Sequence, residues 1–135
     1  MTHPEEQVIS ARYRGDPAPD VSIVIPTRNR ADQLSRCLHH VDLIRSDRPW
    51  ELIVVDNGST DDAAELVGKF ARSAPFPVRL VHESAAGGAR TRNSAATVAR
   101  GEILVFIDDD CYVRPDIIEQ HRDPHPSEIG ADTPT

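Results

Sequence analysis

The sequence predicts an α/β fold in which helices flank an open, largely parallel sheet. Four short apolar runs recur along the chain, and the segments between them carry apolar residues at helical spacing or a series of small residues. Strand and helix therefore alternate. This alternation predicts a largely parallel sheet, because each helix carries the chain back across the sheet before the next strand begins.

The four predicted strands are rich in Val, Ile, Leu and Phe, and each is too short for a helix. They cover residues 21–25, 52–55, 78–81 and 103–107. Polar residues are scarce within them, which is typical of strands that are buried on both faces of a sheet.

Two helices are predicted between the first three strands, because apolar residues repeat there at positions i, i+3, i+4 and i+7. They are Leu34, Cys37, Leu38 and Val41 in the first helix, and Ala63, Leu66, Val67 and Phe70 in the second. Ser59 and Asp62 have the spacing of a capping box, which predicts the start of the second helix.

A third helix is predicted over residues 87–100, which are rich in small side chains and could pack closely against the sheet. Gly101 would end this helix. A short fourth helix is predicted from about residue 115 to residue 121.

Residues 21–121 are predicted to form one α/β domain. The chain has 135 residues, enough for a single domain with a buried core, and it is 39% hydrophobic and 27% charged, as in a soluble globular protein. Residues 1–20 and 122–135 are polar, and the 11 prolines crowd toward the two ends. We therefore expect a flexible leader at residues 1–20 and a disordered tail at residues 122–135.

Charge and cysteine content argue against several classes of function. A net charge of −7 argues against nucleic-acid binding, which normally uses a basic surface. No stretch approaches the roughly 20 apolar residues of a transmembrane segment, and the first residues do not resemble a secretory signal, so we expect a cytoplasmic protein. Cys37 and Cys111 lack metal-site spacing, and Cys37 is predicted to be a core residue of the first helix.

Three consecutive carboxylates follow the fourth strand. Asp108, Asp109 and Asp110 would stand at the rim of the sheet. Adjacent like charges repel by roughly 4 kcal/mol per pair at an effective dielectric constant near 20, so such a cluster needs open solvent or a cation. From these residues alone, two interpretations stay open: a divalent metal site, or a solvated acidic turn that caps the next helix.

Polar residues also follow the first two strands. Residues 26–29 read Pro-Thr-Arg-Asn, and residues 56–59 read Asp-Asn-Gly-Ser. In open parallel sheets, ligands bind beyond the carboxyl ends of the strands, so both segments and the three acids are expected at one rim. Each segment has a structural alternative, because Thr27 or Asn29 could cap the first helix and Asp56 could bond the backbone of its own turn.

The region after the third strand is less informative. That strand ends in residues 82–84, which have no distinctive pattern. The glycines at 87 and 88 could let a phosphate approach the start of a helix, but they lack the dinucleotide-binding fingerprint. Arg90, Arg92 and Arg100 would usually form a solvated helix face.

Taken together, these segments resemble family 2 glycosyltransferases of the GT-A fold. The likeness is carried by residues 21–30 (VSIVIPTRNR), 54–61 (VVDNGSTD), 89–95 (ARTRNSA) and 106–110 (FIDDD). In order and spacing it spans residues 21–121, and it corresponds to the N-terminal, nucleotide-sugar-binding half of such enzymes.

The resemblance implies that a nucleoside diphosphate sugar is the donor for inverting transfer to an unknown acceptor. The residues implied in binding the nucleotide sugar are Pro26, Thr27, Arg28, Asp56, Arg92, Asp108 and Asp109. Asp56 would accept a hydrogen bond from the base, and Asp108 would meet the ribose. Arg92 and Asn93 match an Arg-Asn pair of the family that would support the site or touch phosphate.

The resemblance also implies a metal cofactor. Asp108 and Asp110 are the outer members of the family's Asp-x-Asp (DXD) signature and would hold Mg²⁺ or Mn²⁺. In an extended chain, side chains two residues apart point to one side, so both acids could face one ligand.

A second half of the enzyme is then expected to be missing, because such enzymes continue with an acceptor pocket and a carboxylate base. Glu119, Asp123 and Glu128 follow the acids, but no apolar framework would fix them near a substrate, so no catalytic base is assigned. The chain resembles a truncated donor-binding half, for which a missing C-terminal half or a homodimer would cover the exposed sheet edge.

Three other functions are alternatives to a glycosyltransferase. A catalytically incomplete nucleotide-sugar-binding or assembly module stays open, and turnover of a labelled donor would separate it from an active enzyme. An aspartate-dependent phosphatase with Asp108 as nucleophile is disfavoured, because Tyr112 stands where Thr or Val is expected and Lys69 is the only lysine. A phosphate-signalling receiver domain is also disfavoured, because such a domain needs a suitable lysine and the sequence offers only Lys69.

Overall fold

The computed structural model describes residues 5–8, 18–83 and 88–120. Its strands are β1 (Glu5–Val8), β2 (Val21–Thr27), β3 (Trp50–Asp56), β4 (Val78–His82) and β5 (Ile103–Phe106). Its helices are α1 (Ala31–Val41), α2 (Ala63–Ser73), α3 (Gly88–Val98) and α4 (Ile117–Gln120). The five strands form one sheet in the order β1-β4-β3-β2-β5.

The predicted α/β class and the largely parallel sheet are confirmed. β2, β3, β4 and β5 run parallel, and β1 alone is antiparallel, against β4. The strand order reverses at β2, because β3 and β4 lie on one side of it and β5 on the other. Such a reversal leaves a crevice between the carboxyl ends of the two diverging strands, here β2 and β5.

Strand β1 lies within the segment that the sequence predicted to be a flexible leader. Its backbone pairs with β4 from Glu5 opposite His82 to Val8 opposite Arg79. This differs from the expectation for residues 5–8, and the physical reason is that β4 would otherwise present an unpaired row of backbone groups at the sheet edge. The remaining leader residues up to Pro17 lie outside the described residues.

One face of the sheet carries the main core, which α1, α2 and α4 cover. The four apolar residues that predicted α1 are all buried. In α2, Ala63 and Val67 are buried, while Leu66 and Phe70 are partly buried against the core. Fully burying a Leu, Val or Phe side chain contributes about 1.5–3 kcal/mol, so this face supplies most of the hydrophobic stabilisation.

Helix α3 covers the opposite face over a smaller apolar cluster. Ala95 of α3 is fully buried there against residues of the three central strands, namely Val24, Ile53, Val55 and Val81. A methyl side chain lets the helix axis approach the sheet closely. The small-residue composition predicted this close packing, and the structure confirms it.

The same face carries a buried polar network at the amino ends of the strands. Glu51 has no exposed surface and accepts hydrogen bonds from Ser22 Oγ (2.6 Å), Arg79 Nη1 (3.1 Å) and the backbone N–H of Arg100 (2.9 Å). The N–H of Gly101 in turn donates to Ser22 Oγ at 2.9 Å. The network ties β2, β3, β4 and the segment before β5 together.

The predicted capping box of α2 is wrong. The Asp62 N-cap makes no side-chain capping bond, and the N–H of Ala63 instead donates to Asp61 Oδ1 at 3.1 Å. Ser59 Oγ is used elsewhere, because it accepts the N–H of Asn29 at 2.9 Å. The hydroxyl that local spacing assigned to a cap therefore joins two loops that are distant in sequence.

The predicted disordered tail at residues 122–135 and the glycine at 87 lie outside the described residues. Among the helices of the described ranges, none has the length and apolar character that crossing a membrane requires. The expected cytoplasmic location and the possible homodimer stay predictions.

Candidate functional site

An open cleft of about 370 Å³ lies at the carboxyl ends of the parallel strands, where the strand order reverses. The end of β2 and the loop after it, the end of β5 and its acids, the loop after β3 and the first half of α3 form its walls. Its lining residues are Pro26, Thr27, Arg28, Arg30, Asn57, Thr91, Arg92, Phe106, Ile107, Asp108 and Asp109.

The three acids form a turn directly after β5. The N–H of Cys111 donates to the carbonyl oxygen of Asp108 at 3.1 Å, which closes the turn. Asp108 and Asp110 are exposed, whereas Asp109 is buried. The acids therefore lie in a turn and not in the extended chain in which the two outer side chains would share one side, although both outer acids are open to solvent.

Asp109 anchors this turn to the body of the domain. Thr27 Oγ1 donates to Asp109 Oδ2 at 3.0 Å, and Arg30 Nε lies 3.3 Å from Asp109 Oδ1. Burial raises the pKa of Asp109 above its ordinary value, although Thr27 and Arg30 oppose the shift and the two neighbouring acids add to it. Asp109 thus joins the end of β2 to the acidic turn after β5.

Arg30 contacts two of the three acids. Besides the contact with Asp109, its Nη2 lies 3.3 Å from Asp110 Oδ2. Arg30 immediately precedes α1 and also lines the cleft. Asp110 does not line the cleft, and its partner in the described part of the chain is this guanidinium.

Asp56 is buried at the end of β3, beside the cleft. Its Oδ1 accepts the N–H of Ser59 at 3.0 Å, so the turn-bonding alternative describes a contact that exists. Its Oδ2 lies 3.7 Å from His82 Nδ1 at the end of β4. At 3.7 Å this second contact is longer than a hydrogen bond, and it is an ion pair only when His82 is protonated. The neighbouring Asn57, rather than Asp56, lines the cleft.

Helix α3 supplies one wall of the cleft. Thr91 is buried and its Oγ1 accepts a hydrogen bond from Asn57 Nδ2 at 3.2 Å. The guanidinium carbon of Arg92 lies 4.9 Å from the centroid of the Phe106 ring, a cation–π contact across the cleft. Asn93, which with Arg92 matches the Arg-Asn pair of the family, is exposed and does not line the cleft.

The loops after β2 and β3 are fastened to each other. Asn29 adopts a positive φ of 53°, and its Oδ1 accepts the N–H of Thr60 at 2.7 Å. Asp61 Oδ2 accepts the N–H of Ala31, so the start of α1 is capped from the neighbouring loop. The alternative in which Thr27 or Asn29 caps α1 is therefore wrong, because Thr27 bonds Asp109 and Asn29 bonds the other loop.

The structure brings together most of the residues that the sequence assigned to the site. Six of them line the cleft, namely Pro26, Thr27, Arg28, Arg92, Asp108 and Asp109. Asp56 and Asp110 lie at its border without lining it. Sequence reasoning did not assign the other five lining residues, although each falls inside one of the four segments that carry the family resemblance; they are Arg30, Asn57, Thr91, Phe106 and Ile107.

The donor chemistry at the acidic turn fits a hard divalent cation in part. Asp108 and Asp110 offer exposed carboxylate oxygens, which Mg²⁺ and Mn²⁺ prefer. Within residues 18–83 and 90–120, no three His, Cys, Asp or Glu side chains converge into a complete metal shell. A cation here would need further oxygen ligands, which a bound diphosphate could provide.

The chain is similar in sequence to known proteins. The sequence model of glycosyl transferase family 2 matches residues 22–126. The chain is 34% identical over 100 residues to glycosyltransferase GlyG of Streptococcus pneumoniae, covering 73% of this chain and 33% of that protein. It thus spans about a third of the length of this curated relative.

Solved structures agree with the sequence matches. Mannosyltransferase PcManGT of Pyrobaculum calidifontis, in complex with GDP-Man and Mn²⁺, aligns with a TM-score of 0.66 and 29% identity over 84% of this chain and 38% of that chain. S. aureus TarS (residues 1–349) aligns with a TM-score of 0.67 and 25% identity over 76% of this chain and 31% of that chain.

Proposed function

This chain belongs to glycosyl transferase family 2, and we propose that its cleft binds a nucleoside diphosphate sugar as the donor for inverting transfer of the sugar to an acceptor. The observation that carries the proposal is the joining of an acidic turn and three arginines in one cleft where the strand order reverses. Open α/β sheets bind nucleotides at such a position.

The charges of the cleft suit a diphosphate. The chain carries a net charge of −7, yet Arg28, Arg30 and Arg92 all line this cleft. Guanidinium groups bind phosphate oxygens through paired N–H donors, so they are suited to a diphosphate even in an acidic protein. The mannosyltransferase structure with GDP-Man and Mn²⁺ supports a donor of this chemical class.

The roles below are proposed for residues that line the cleft or lie at its border. Pro26 and Thr27 would line the nucleotide pocket, and Asp56, at the border of the cleft, would accept a hydrogen bond from the base. Asp108 would meet the ribose and would share a divalent cation with Asp110. Asp109 is buried against Thr27 and Arg30, so its part in the site is to hold the acidic turn in place.

Asp108 and Asp110 would hold Mg²⁺ or Mn²⁺ together with diphosphate oxygens. When bound, such a cation neutralises charge on the departing nucleoside diphosphate. The residues of this chain bind and orient the donor: the arginines contact the phosphates, and Phe106 with Pro26 provides apolar surface beside the polar wall of Asn57 and Thr91.

The acceptor, the sugar and the catalytic base are not assigned. Glu119 accepts a hydrogen bond from Ser46 Oγ at 2.7 Å, so this carboxylate is engaged away from the cleft, and Asp123 and Glu128 lie outside the described residues. A donor-binding module without its own turnover is therefore the second candidate. Release or transfer of sugar from a radiolabelled donor distinguishes an active enzyme from such a module.

Isothermal titration tests the donor-binding proposal. The titrants are sugars linked to uridine, guanosine and thymidine diphosphate, each with and without Mn²⁺. We expect one nucleotide class to bind, with an affinity that falls about tenfold or more in Asp110→Asn, because a charged ligand contact contributes roughly 1.5–3 kcal/mol. Asp47→Asn, which changes an exposed loop acid, is the matched control. Absence of nucleotide binding under every condition would overturn the proposal.

A further inference from the structure

The positively charged guanidinium of Arg30 contacts two of the three carboxylates of the acidic turn. Its Nε lies 3.3 Å from Asp109 Oδ1 and its Nη2 lies 3.3 Å from Asp110 Oδ2. Three adjacent carboxylates repel one another, and a guanidinium in this position relieves that repulsion. The guanidinium therefore offsets the repulsion within the turn, as a divalent cation would.

The two carboxylates that Arg30 contacts differ in solvent exposure. The Asp109 side chain is 8% exposed, and its other oxygen is bonded to Thr27. The Asp110 side chain is 57% exposed and the Arg30 side chain 45% exposed. An exposed ion pair is screened by water and is easily broken, whereas the buried contact is retained more strongly.

Arg30 also lines the cleft in which the donor is proposed to bind. A guanidinium that leaves Asp110 is thus already at the wall of that cleft. Its planar set of N–H donors matches the oxygens of a diphosphate.

We propose that Arg30 is an exchangeable counter-ion of the acidic turn: it pairs with Asp110 until a divalent cation takes that carboxylate, and it then contacts the diphosphate of the donor. This inference rests on the proposed function, because it needs a cation and a diphosphate at the same turn. Arg30 is a positioning residue for the acids and a binding residue for the donor.

The exchange predicts effects of opposite sign on the two ligands. Arg30→Gln removes a positive charge that competes with the cation, so Mn²⁺ alone is expected to bind roughly threefold or more tightly. The same change removes a charged donor from the cleft, so the nucleoside diphosphate, measured at saturating Mn²⁺, is expected to bind about tenfold more weakly. A residue that only stabilises the fold would not produce this reversal.

The experiment measures free Mn²⁺ by electron paramagnetic resonance, first with protein alone and then with uridine or guanosine diphosphate present. Wild type is compared with Arg30→Gln, with Arg30→Lys, and with Arg72→Gln, which removes an exposed arginine from the last turn of α2. Arg30→Lys keeps the charge and is expected to restore wild-type Mn²⁺ affinity, while Arg72→Gln is expected to match wild type. Circular dichroism establishes that each variant is folded.

The outcomes separate this inference from the proposed function. Unchanged or weaker Mn²⁺ binding in a folded Arg30→Gln protein would overturn the counter-ion role, even if nucleotides bind normally. Tighter Mn²⁺ binding in Arg30→Gln without nucleotide binding in any variant would support the competition at Asp110 and reject the donor site. If neither wild type nor Arg30→Gln binds Mn²⁺, either alone or with the nucleoside diphosphate present, the counter-ion role is overturned, whereas the donor site is overturned only if no nucleotide binds.

Discussion

The two ends of the parallel strands both pair carboxylates with arginines, but they do so in opposite ways. At the amino ends, Glu51 is fully buried and Arg79 is 4% exposed, and every side-chain oxygen of Glu51 has a donor. At the carboxyl ends, Arg30 and Asp110 are about half exposed and border an open cleft.

The difference separates a structural network from a binding site. In the buried network, donors from two strands and a loop converge on Glu51 of a third strand, so these charges join the elements that carry them. In the acidic turn, water or a ligand can replace the arginine without opening the core. In the residues that the structure describes, no buried side-chain nitrogen or oxygen lacks a hydrogen-bond partner, and this holds at both ends of the strands.

The largest expected effect comes from breaking the buried network. Glu51→Ala leaves Arg79 buried without its carboxylate, and loss of one partner of a buried ion pair costs about 3–5 kcal/mol of folding free energy. Urea denaturation measures this loss, with Glu102→Ala, an exposed acid near β5, as the control. A loss below about 1 kcal/mol, the level expected for an exposed pair, would contradict the contrast between the two ends.

Gly101 gives an intermediate effect at the same end. A Cβ atom there would lie 2.7 Å from the backbone nitrogen of Ser22 and 2.7 Å from the carbonyl carbon of Val21, so Gly101→Ala forces the backbone apart. We expect a loss of about 1–3 kcal/mol in urea denaturation, as in other overpacked sites.

Gly68→Ala is the matched control for this prediction. Gly68 lies in α2, and nothing stands within 4 Å of an added Cβ, so this change is expected to stabilise the protein by roughly 0.5–1 kcal/mol through its higher helix propensity. Equal effects of the two substitutions would mean that Gly101 is not packed tightly against β2.

The smallest expected effect is a pH dependence that arises at the cleft. Burial raises the pKa of Asp109 in the folded state, so between the unfolded and the folded pKa the folded protein binds more protons. The contribution of this group to stability therefore increases as the pH falls through that interval and decreases as the pH rises.

Asp109→Asn removes this dependence, because the amide does not titrate. Urea midpoints of wild type and Asp109→Asn, measured from pH 4 to pH 7 (about the range in which a raised carboxyl pKa lies), are expected to differ more at the higher pH. A constant difference across this range would show that Asp109 titrates in the folded protein as it does in the unfolded chain.

Local patterns were sufficient for the elements that depend on burial. The repeats at Leu34, Cys37, Leu38 and Val41 predicted α1, and the apolar runs predicted four strands within a few residues of their observed ends. The hydroxyl and carboxylate caps could not be predicted in this way. Ser59 bonds the N–H of Asn29, 30 residues away, and Asp61 caps α1 from the loop before α2.

The candidate site was predicted as a set of segments, but not as a set of contacts. Thr27 and Asp109 are 82 residues apart, and Arg30 and Asp110 are 80 residues apart. Those contacts exist because β2 and β5 are neighbours in the sheet. That pairing cannot be predicted from the order of the strands along the chain. Arg30 could not be distinguished from Arg28 by its position in the sequence, since both follow the same strand.

The sequence by itself determined the alternation of strands and helices, the rim at which the polar segments gather, and the family resemblance, because hydrophobic periodicity and residue order are local properties of the chain. Only the tertiary structure decided the strand order, the pairing of Glu51 with Arg79, the burial of Asp109 between two exposed acids, and the position of Arg30 across the turn. The physical reason is that a side chain's charge, burial and partner depend on which distant strands become neighbours, and that choice is made by packing of the whole sheet.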